Sequence, residues 1–196
     1  MARTFRSEPR AGGPVGTARL FVALDPPAEV REAIAERTRS ACAGRDDLRL
    51  VPIEALHVTL AFLGHLLESL IPPVWSTVVA GASGSNAPLL DPRGVRALPP
   101  GRPRLLALDL ADTGGACALH DGVARELAAA ALYEPEQRPF WPHVTLARVR
   151  RGGRAEPIDL RGGLEPFRAR EVTLYRSRLS PAGPRYEPLE RLRLGG

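Results

Sequence analysis

The stretch Leu56–Gly64, LHVTLAFLG, decides how this chain is read, because five of its residues return unchanged in Pro142–Arg150, PHVTLARVR. Along a strand, successive side chains point to opposite faces. Each HVTLA copy therefore sets its His and Thr on one face, His57 with Thr59 and His143 with Thr145. Val58 and Leu60, like Val144 and Leu146, point the other way, into a core. Two strands that each present an imidazole and a hydroxyl make a cleft with two proton-transfer groups and two hydrogen-bond donors, a set suited to phosphoryl chemistry.

Working outward, the segments ahead of the two motifs also match. RLFVALD (Arg19–Asp25) breaks at Pro26-Pro27 into a helix expected from Ala28 to about Ala43, and Leu48–Val51 then leads to the first His. RLLALD (Arg104–Asp109) precedes a helix expected over Ala116–Leu132, with Leu119, Val123 and Leu127 on one face, and then the second His. Strand, helix, HVTLA strand occurs twice at nearly the same spacing, which is the mark of an internal duplication. The duplication points to two similar lobes related by an approximate twofold axis, with the two motif strands facing each other across a groove. Gly64 is expected to end the first motif strand. A weaker helix is expected over Pro73–Ala82, and strands over Leu89–Leu98, Ile158–Leu164, Arg168–Leu179 and Tyr186–Leu194.

Composition narrows the class. With 196 residues, 44% hydrophobic and 25% charged, the chain holds one ordinary domain's worth of core. Met1–Thr17 is rich in Arg, Gly and Pro without an apolar core, so it reads as a disordered tail ahead of a single unit spanning 18–196. The formal charge is +5, and all 27 basic residues are Arg. Such planar forks favour an anionic partner modestly, against the plain alternative of an Arg-coated surface. Cys42 and Cys117 form no CxxC pair and match no zinc spacing, so free thiols in a reducing, cytoplasmic setting are expected. No apolar run approaches the roughly 18 to 20 residues a membrane span needs.

The paired HxTL motifs, the FLG after the first, PHVTLAR at the second, RxF in the first strand and a late S-x-x-G-x-x-Y (Ser180, Gly183, Tyr186) resemble the 2H phosphoesterases. Within them the chain most resembles the bacterial and archaeal RNA 2′,3′-cyclic phosphodiesterases, historically named 2′-5′ RNA ligases. The resemblance runs from about Arg19 to Leu194. It implies a two-lobed α+β fold, antiparallel sheets lining a central cleft with helices outside, that acts without metal or other cofactor on RNA with a 2′,3′-cyclic phosphate end or on a related cyclic nucleotide; a monomer is expected, since nothing in the sequence points otherwise. It implies His57 as proton donor and His143 as proton acceptor, roles that the residues alone leave open. Thr59 and Thr145 would hold phosphate, as would Arg148. Strict alternation places Arg148 with Val144 and Leu146, away from the cleft, so a bulge or twist at the strand end is needed for that role, a surface Arg being the alternative. Phe21 and Tyr186 are candidate rings for stacking on a base, as is Trp141, with core or anchoring roles as the alternatives. The chain departs from its relatives at Leu50, where many carry Trp, and at Trp141, where many carry a basic residue; the RLLALDL strand also lacks a common Trp. These positions bear on substrate grip and base preference.

Competing readings are a 2′-5′ RNA ligase or small cyclic-nucleotide phosphodiesterase using the same histidines, a binding module without turnover, and a purely structural duplicated domain. His65 and His120 carry no motif and are expected to be solvated.

Overall fold

The two halves of the chain each fold into a strand, a helix and a motif strand. The computed structural model describes residues 16–153, 156, 158–160, 163–180 and 183–196, the side chains of 179, 180 and 183 excepted. The first half comprises β1 (Thr17–Asp25), α1 (Ala28–Ala41), β2 (Leu48–Leu50), β3 (Val58–Leu67) and α2 (Ile71–Ala82). Next come β4 (Leu89–Leu98), β5 (Leu105–Asp112), α3 (Gly115–Ala129) and β6 (His143–Val149), then β7 (Phe167–Arg168), β8 (Glu171–Ser180) and β9 (Gly183–Arg193). Pro27 stands just ahead of α1, which buries Ile34 and Thr38 one turn apart. α3 buries Leu119, Val123 and Leu127 at the expected spacing of four.

The sheets expected for two lobes are joined into one. Among the described residues nine strands run in the order β7-β4-β5-β6-β3-β1-β8-β9, with β2 on the edge of β6. The motif strands lie at the centre, as neighbours, and meet at a single antiparallel pair, Val58 with Val144. Outward from that pair the halves mirror one another: β5 flanks β6 as β1 flanks β3, and β4 flanks β5 as β8 flanks β1. Beyond Val144, β2 takes over the same edge of β6, with Leu50 opposite Ala147, and the Val51 N–H donates to the Leu146 carbonyl at 2.8 Å. The motif strands therefore part after one pair, and the space between them opens as a cleft walled by β2 and the short 3₁₀ turn Ile53–Ala55.

Three boundaries differ from expectation. Gly64 does not end β3: it adopts φ +72° within a bulge, where Gly64 pairs with Leu20 and Phe62 with Phe21, leaving Leu63 over. Thr17 opens β1, and residues 1–15 of the expected tail lie outside the described residues. The strand expected over Arg168–Leu179 is divided, Ala169 and Arg170 separating β7 from β8. Much of Ile158–Leu164 is described, and it forms no regular element there. The side chain of Ser180, from the late motif, is outside the described residues.

The back of the sheet buries one large apolar cluster, in which Leu20, Val22, Leu24, Val58, Leu106, Val144 and Leu174 are fully enclosed. α2 and α3 pack backbone to backbone at Gly81 and Gly122. A Cβ at Gly81 would lie 2.7 Å from the Val123 Cα, and one at Gly122 would meet the Gly81 carbonyl oxygen. Neither neighbour is a flexible side chain, so the helices must separate to admit a methyl. Gly122→Ala is accordingly expected to cost about 1–3 kcal/mol despite its better helix propensity, lowering Tm by several degrees in a thermal melt. An unchanged or raised Tm would show that the crossing has room to spare.

Candidate active site

Each motif histidine is fixed in the same way. The Nδ1–H of His57 donates to the Ala55 carbonyl and that of His143 to the Trp141 carbonyl, both at 2.8 Å and both two residues upstream. A carbonyl only accepts, so each ring carries its proton on Nδ1 and leaves the Nε2 lone pair available. Within the cleft the His57 Nε2 lies 3.1 Å from the Thr59 hydroxyl, which donates to it. Carried one step either side of the Val58–Val144 pair, antiparallel register sets His57 opposite Thr145 and Thr59 opposite His143.

His57, Thr59, Thr145 and Arg148 line one cavity of about 540 Å³, together with Arg19, Arg49 and Phe62. His143 stands at the head of β6 outside that lining, near enough for its charge to bear on His57. Arg148 reaches the cavity because β6 is bulged. Thr145 pairs with Ala107 but Ala147 with Leu106, so Leu146 is the extra residue and the alternation resets behind it. The twin bulge lies in β3: Thr59 pairs with Ala23 and Ala61 with Val22, Leu60 being left over. Phe62 is thereby the counterpart of Arg148, three residues past its threonine, and it too turns to the cleft.

The rings divide between the stacking reading and the core or anchoring one. Phe21 lines the cavity floor but is 3% exposed; it stacks on Tyr175 (5.1 Å, 16°) and touches His57 and Tyr186 at 4.9 Å each. Its area is spent on bracing His57. Phe62, 41% exposed, presents its ring to the cavity with the Arg19 guanidinium over it, 4.6 Å from its centroid. Tyr186 lines the cavity and meets His57 edge-on at 5.3 Å. Trp141 is an anchor outside the cavity lining. Its ring stacks on His143 (4.2 Å, 14°), its indole N–H donates to the Asp109 carboxylate at 2.6 Å, and Arg96 lies over it while also pairing with Asp109 at 2.6 Å.

Asp25 and Asp109 were not singled out from the sequence, although the triplet ALD ahead of both motifs carries the signal. They occupy equivalent places, Asp109 pairing with His143 and Asp25 lying one step past Leu24, the partner of Val58. Asp25 is buried and accepts from the Thr173 hydroxyl at 2.6 Å and from the Tyr175 hydroxyl at 3.0 Å. Burial raises its pKa, against the lowering effect of those bonds. Asp109 instead braces Trp141 and, through it, His143.

Burial pushes both imidazoles below their ordinary range. His57 falls to about 4, chiefly through burial and further through the charges of His143 and Arg148, against the Ala55 hydrogen bond. His143 is lowered by burial and by Arg138, while the Trp141 carbonyl bond and the Asp109 and Glu136 charges work in the other direction. Of the remaining histidines, His65 is exposed. His120 is not solvated: its side chain is 19% exposed, stacks on Phe140 at 4.3 Å and bonds Asp121. Burial, with Asp112 beside it, pushes the Cys117 thiol up to about 11, which leaves no activated nucleophile there. Among the described residues no three His, Cys, Asp or Glu side chains cluster as a metal site, and no helix is long and apolar enough to cross a membrane.

Comparison with known proteins agrees with this fold. A family model described as LigT like Phosphoesterase matches residues 115–186. A Thermus thermophilus protein named RNA 2′,3′-cyclic phosphodiesterase is 34% identical over 184 residues, 91% of either chain. The chain belongs to the LigT-like phosphoesterase family. A crystal structure of a Thermus thermophilus protein superposes with a TM-score of 0.76 at 31% identity, covering 91% of this chain and 98% of that one. The crystal structure of E. coli LigT complexed with 3′-AMP gives 0.70 at 28% identity, covering 91% and 99%.

A histidine NMR titration is expected to find both motif rings as Nδ1–H tautomers at pH 7, with midpoints below 6.5 and His57 the lower, near 4. Because the Asp109 charge favours the imidazolium, Asp109→Asn should lower the His143 midpoint further. A normal midpoint for His57 would contradict its burial beside Phe21.

Proposed function

We propose that this chain hydrolyses RNA 2′,3′-cyclic phosphodiester ends to 2′-phosphomonoesters by two-histidine acid–base catalysis that needs no metal. The observation that carries the mechanism is the pair of Nδ1-anchored imidazoles on adjoining strands, with both threonines and Arg148 turned into the cavity beside them. The activity itself is supported by relatives named for it at up to 34% identity over nearly the whole chain.

Water attacks phosphorus in line with the 3′ oxygen. A new P–O bond forms, the P–O3′ bond breaks, Nε2 of neutral His143 takes the water proton, and Nε2–H of protonated His57 gives one to the departing 3′ oxygen. The ring protons are then restored through solvent, and the net reaction adds one water. Thr59 and Thr145 donate to the non-bridging oxygens as charge builds, and Arg148 balances that charge. Phe62 takes over the base-stacking role considered for Phe21, and Tyr186 lines the same cavity.

Burial makes His57 the harder ring to protonate, which runs against its role as acid unless substrate changes the balance. An anionic phosphate in the cavity does so: it sits against His57 and favours the imidazolium. Neutral His143 is ready as base at pH 7. All of these groups come from one chain, which fits a monomer, and the free thiols of Cys42 and Cys117 fit a cytoplasmic setting.

Turnover of a short RNA with a 2′,3′-cyclic end, assayed in EDTA, is expected to give only the 2′-phosphate. His57→Ala and His143→Ala should each lose on the order of 10²–10⁴-fold in kcat. Joining of a second RNA instead would favour the ligase reading. Binding of the cyclic end without turnover would favour a binding module, and full activity in either variant would refute the mechanism.

A further inference from the structure

Arg49 on β2 and Arg148 on β6 are register partners, so two guanidinium side chains leave adjacent strands next to one another, and both line the cleft. Like charges set directly opposite in an antiparallel pair destabilise it. Several arginines in the structure meet a carboxylate, as Arg45 does Asp47, Arg96 does Asp109 and Arg176 does Glu68. Among the described residues Arg49 and Arg148 have no such partner. The fold thus brings two uncompensated forks together at the mouth of a cavity already suited to one phosphate. Arg148 faces Leu105 on β5 and Thr145 faces Ala107, two residues along, so the forks start roughly 7 Å beyond the threonine that faces the reacting phosphate. That is the scale of the step from one phosphate to the next in a single strand.

We infer that Arg49, with Arg148 beside it, receives a second phosphate of the substrate, the one on the 5′ side of the nucleotide that bears the cyclic end. A terminal cyclic phosphate leaves the chain only that direction in which to continue. The inference rests on the cyclic-phosphodiesterase reading and narrows it to ends with two phosphates. The second phosphate is either the next RNA phosphodiester or the 5′-phosphate of a single nucleotide. The cyclic phosphate itself stays with the threonines, and Arg148 is shared between the two.

Three substrates separate the possibilities: adenosine 2′,3′-cyclic phosphate, its 5′-phosphorylated form, and the dinucleotide ApA with a 2′,3′-cyclic end. The wild-type protein is expected to turn over both two-phosphate substrates with kcat/KM about tenfold above the first, and Arg49→Gln to bring that ratio close to one. Arg49→Lys should retain part of it. For the dinucleotide, the slope of log kcat/KM against log salt should flatten by roughly 0.7 in Arg49→Gln. A gain on the dinucleotide alone would assign the source to RNA, and an equal gain on both would assign it to the phosphate whatever it is attached to. A ratio that survives Arg49→Gln, or a loss shared equally by all three substrates, would overturn the inference. If the wild-type protein turns over none of the three, the hydrolase reading fails by itself. The second phosphate is then tested by affinity, adenosine 2′,5′-bisphosphate against adenosine 2′-phosphate, where the same loss of preference in Arg49→Gln is expected and its absence would refute the site.

Discussion

The structure turns on one contact, the buried pair of Val58 and Val144. It is the only place where the two motif strands are bonded to each other among the described residues. Both valines are fully enclosed, so the pair is held by the core beneath it and not by the ladder alone. Once it is fixed, period-two alternation lifts His57 and Thr59 on one side of the axis and His143 and Thr145 on the other. Had the strands paired along their whole length, the sheet would have closed over the site. Because they part after one pair, with β2 taking over the edge of β6, the surface becomes a cleft.

What was duplicated is the frame, and what diverged is the use made of it. The bulges at Leu60 and Leu146 match, as do the ALD triplets and the Nδ1 anchors. On this common frame Phe62 stands where the other half has Arg148, offering a ring at one end of the cavity and a cation at the other. Asp25 is buried among hydroxyls and stiffens the Tyr175–Phe21 stack under His57, whereas Asp109 keeps a charged partner in Arg96 and braces Trp141 under His143. A twofold frame with unlike decorations suits a reaction whose two proton transfers are of opposite sense.

The positions of His57, Thr59, His143 and Thr145 were legible because alternation within one short strand segment needs no tertiary information. The helices were legible for a similar reason, since α3 shows its buried face in the spacing of Leu119, Val123 and Leu127. Phe62 was not, and Arg148 came only from the resemblance, because a bulge adds one residue and inverts every inside–outside assignment beyond it. Gly64 misled in the same way: a positive φ serves a bulge as well as a strand end. Phe21 shares the cleft-facing side of its strand, but period two cannot say whether a cleft-facing ring is free or covered, and the covering came from β8, some 150 residues away. His120 was misread because its partner, Phe140, belongs to a loop that carries no periodic signal.

The division of labour between the two imidazoles is the central claim, and replacing the leaving oxygen tests it most directly. With sulfur at the 3′ bridging position, the leaving group is a thiolate of pKa roughly 8.5, which departs without a proton where an alkoxide cannot. On this substrate His57→Ala should recover most of its lost rate while His143→Ala remains defective. Rescue of His143→Ala in place of His57→Ala, or of neither, would contradict the account.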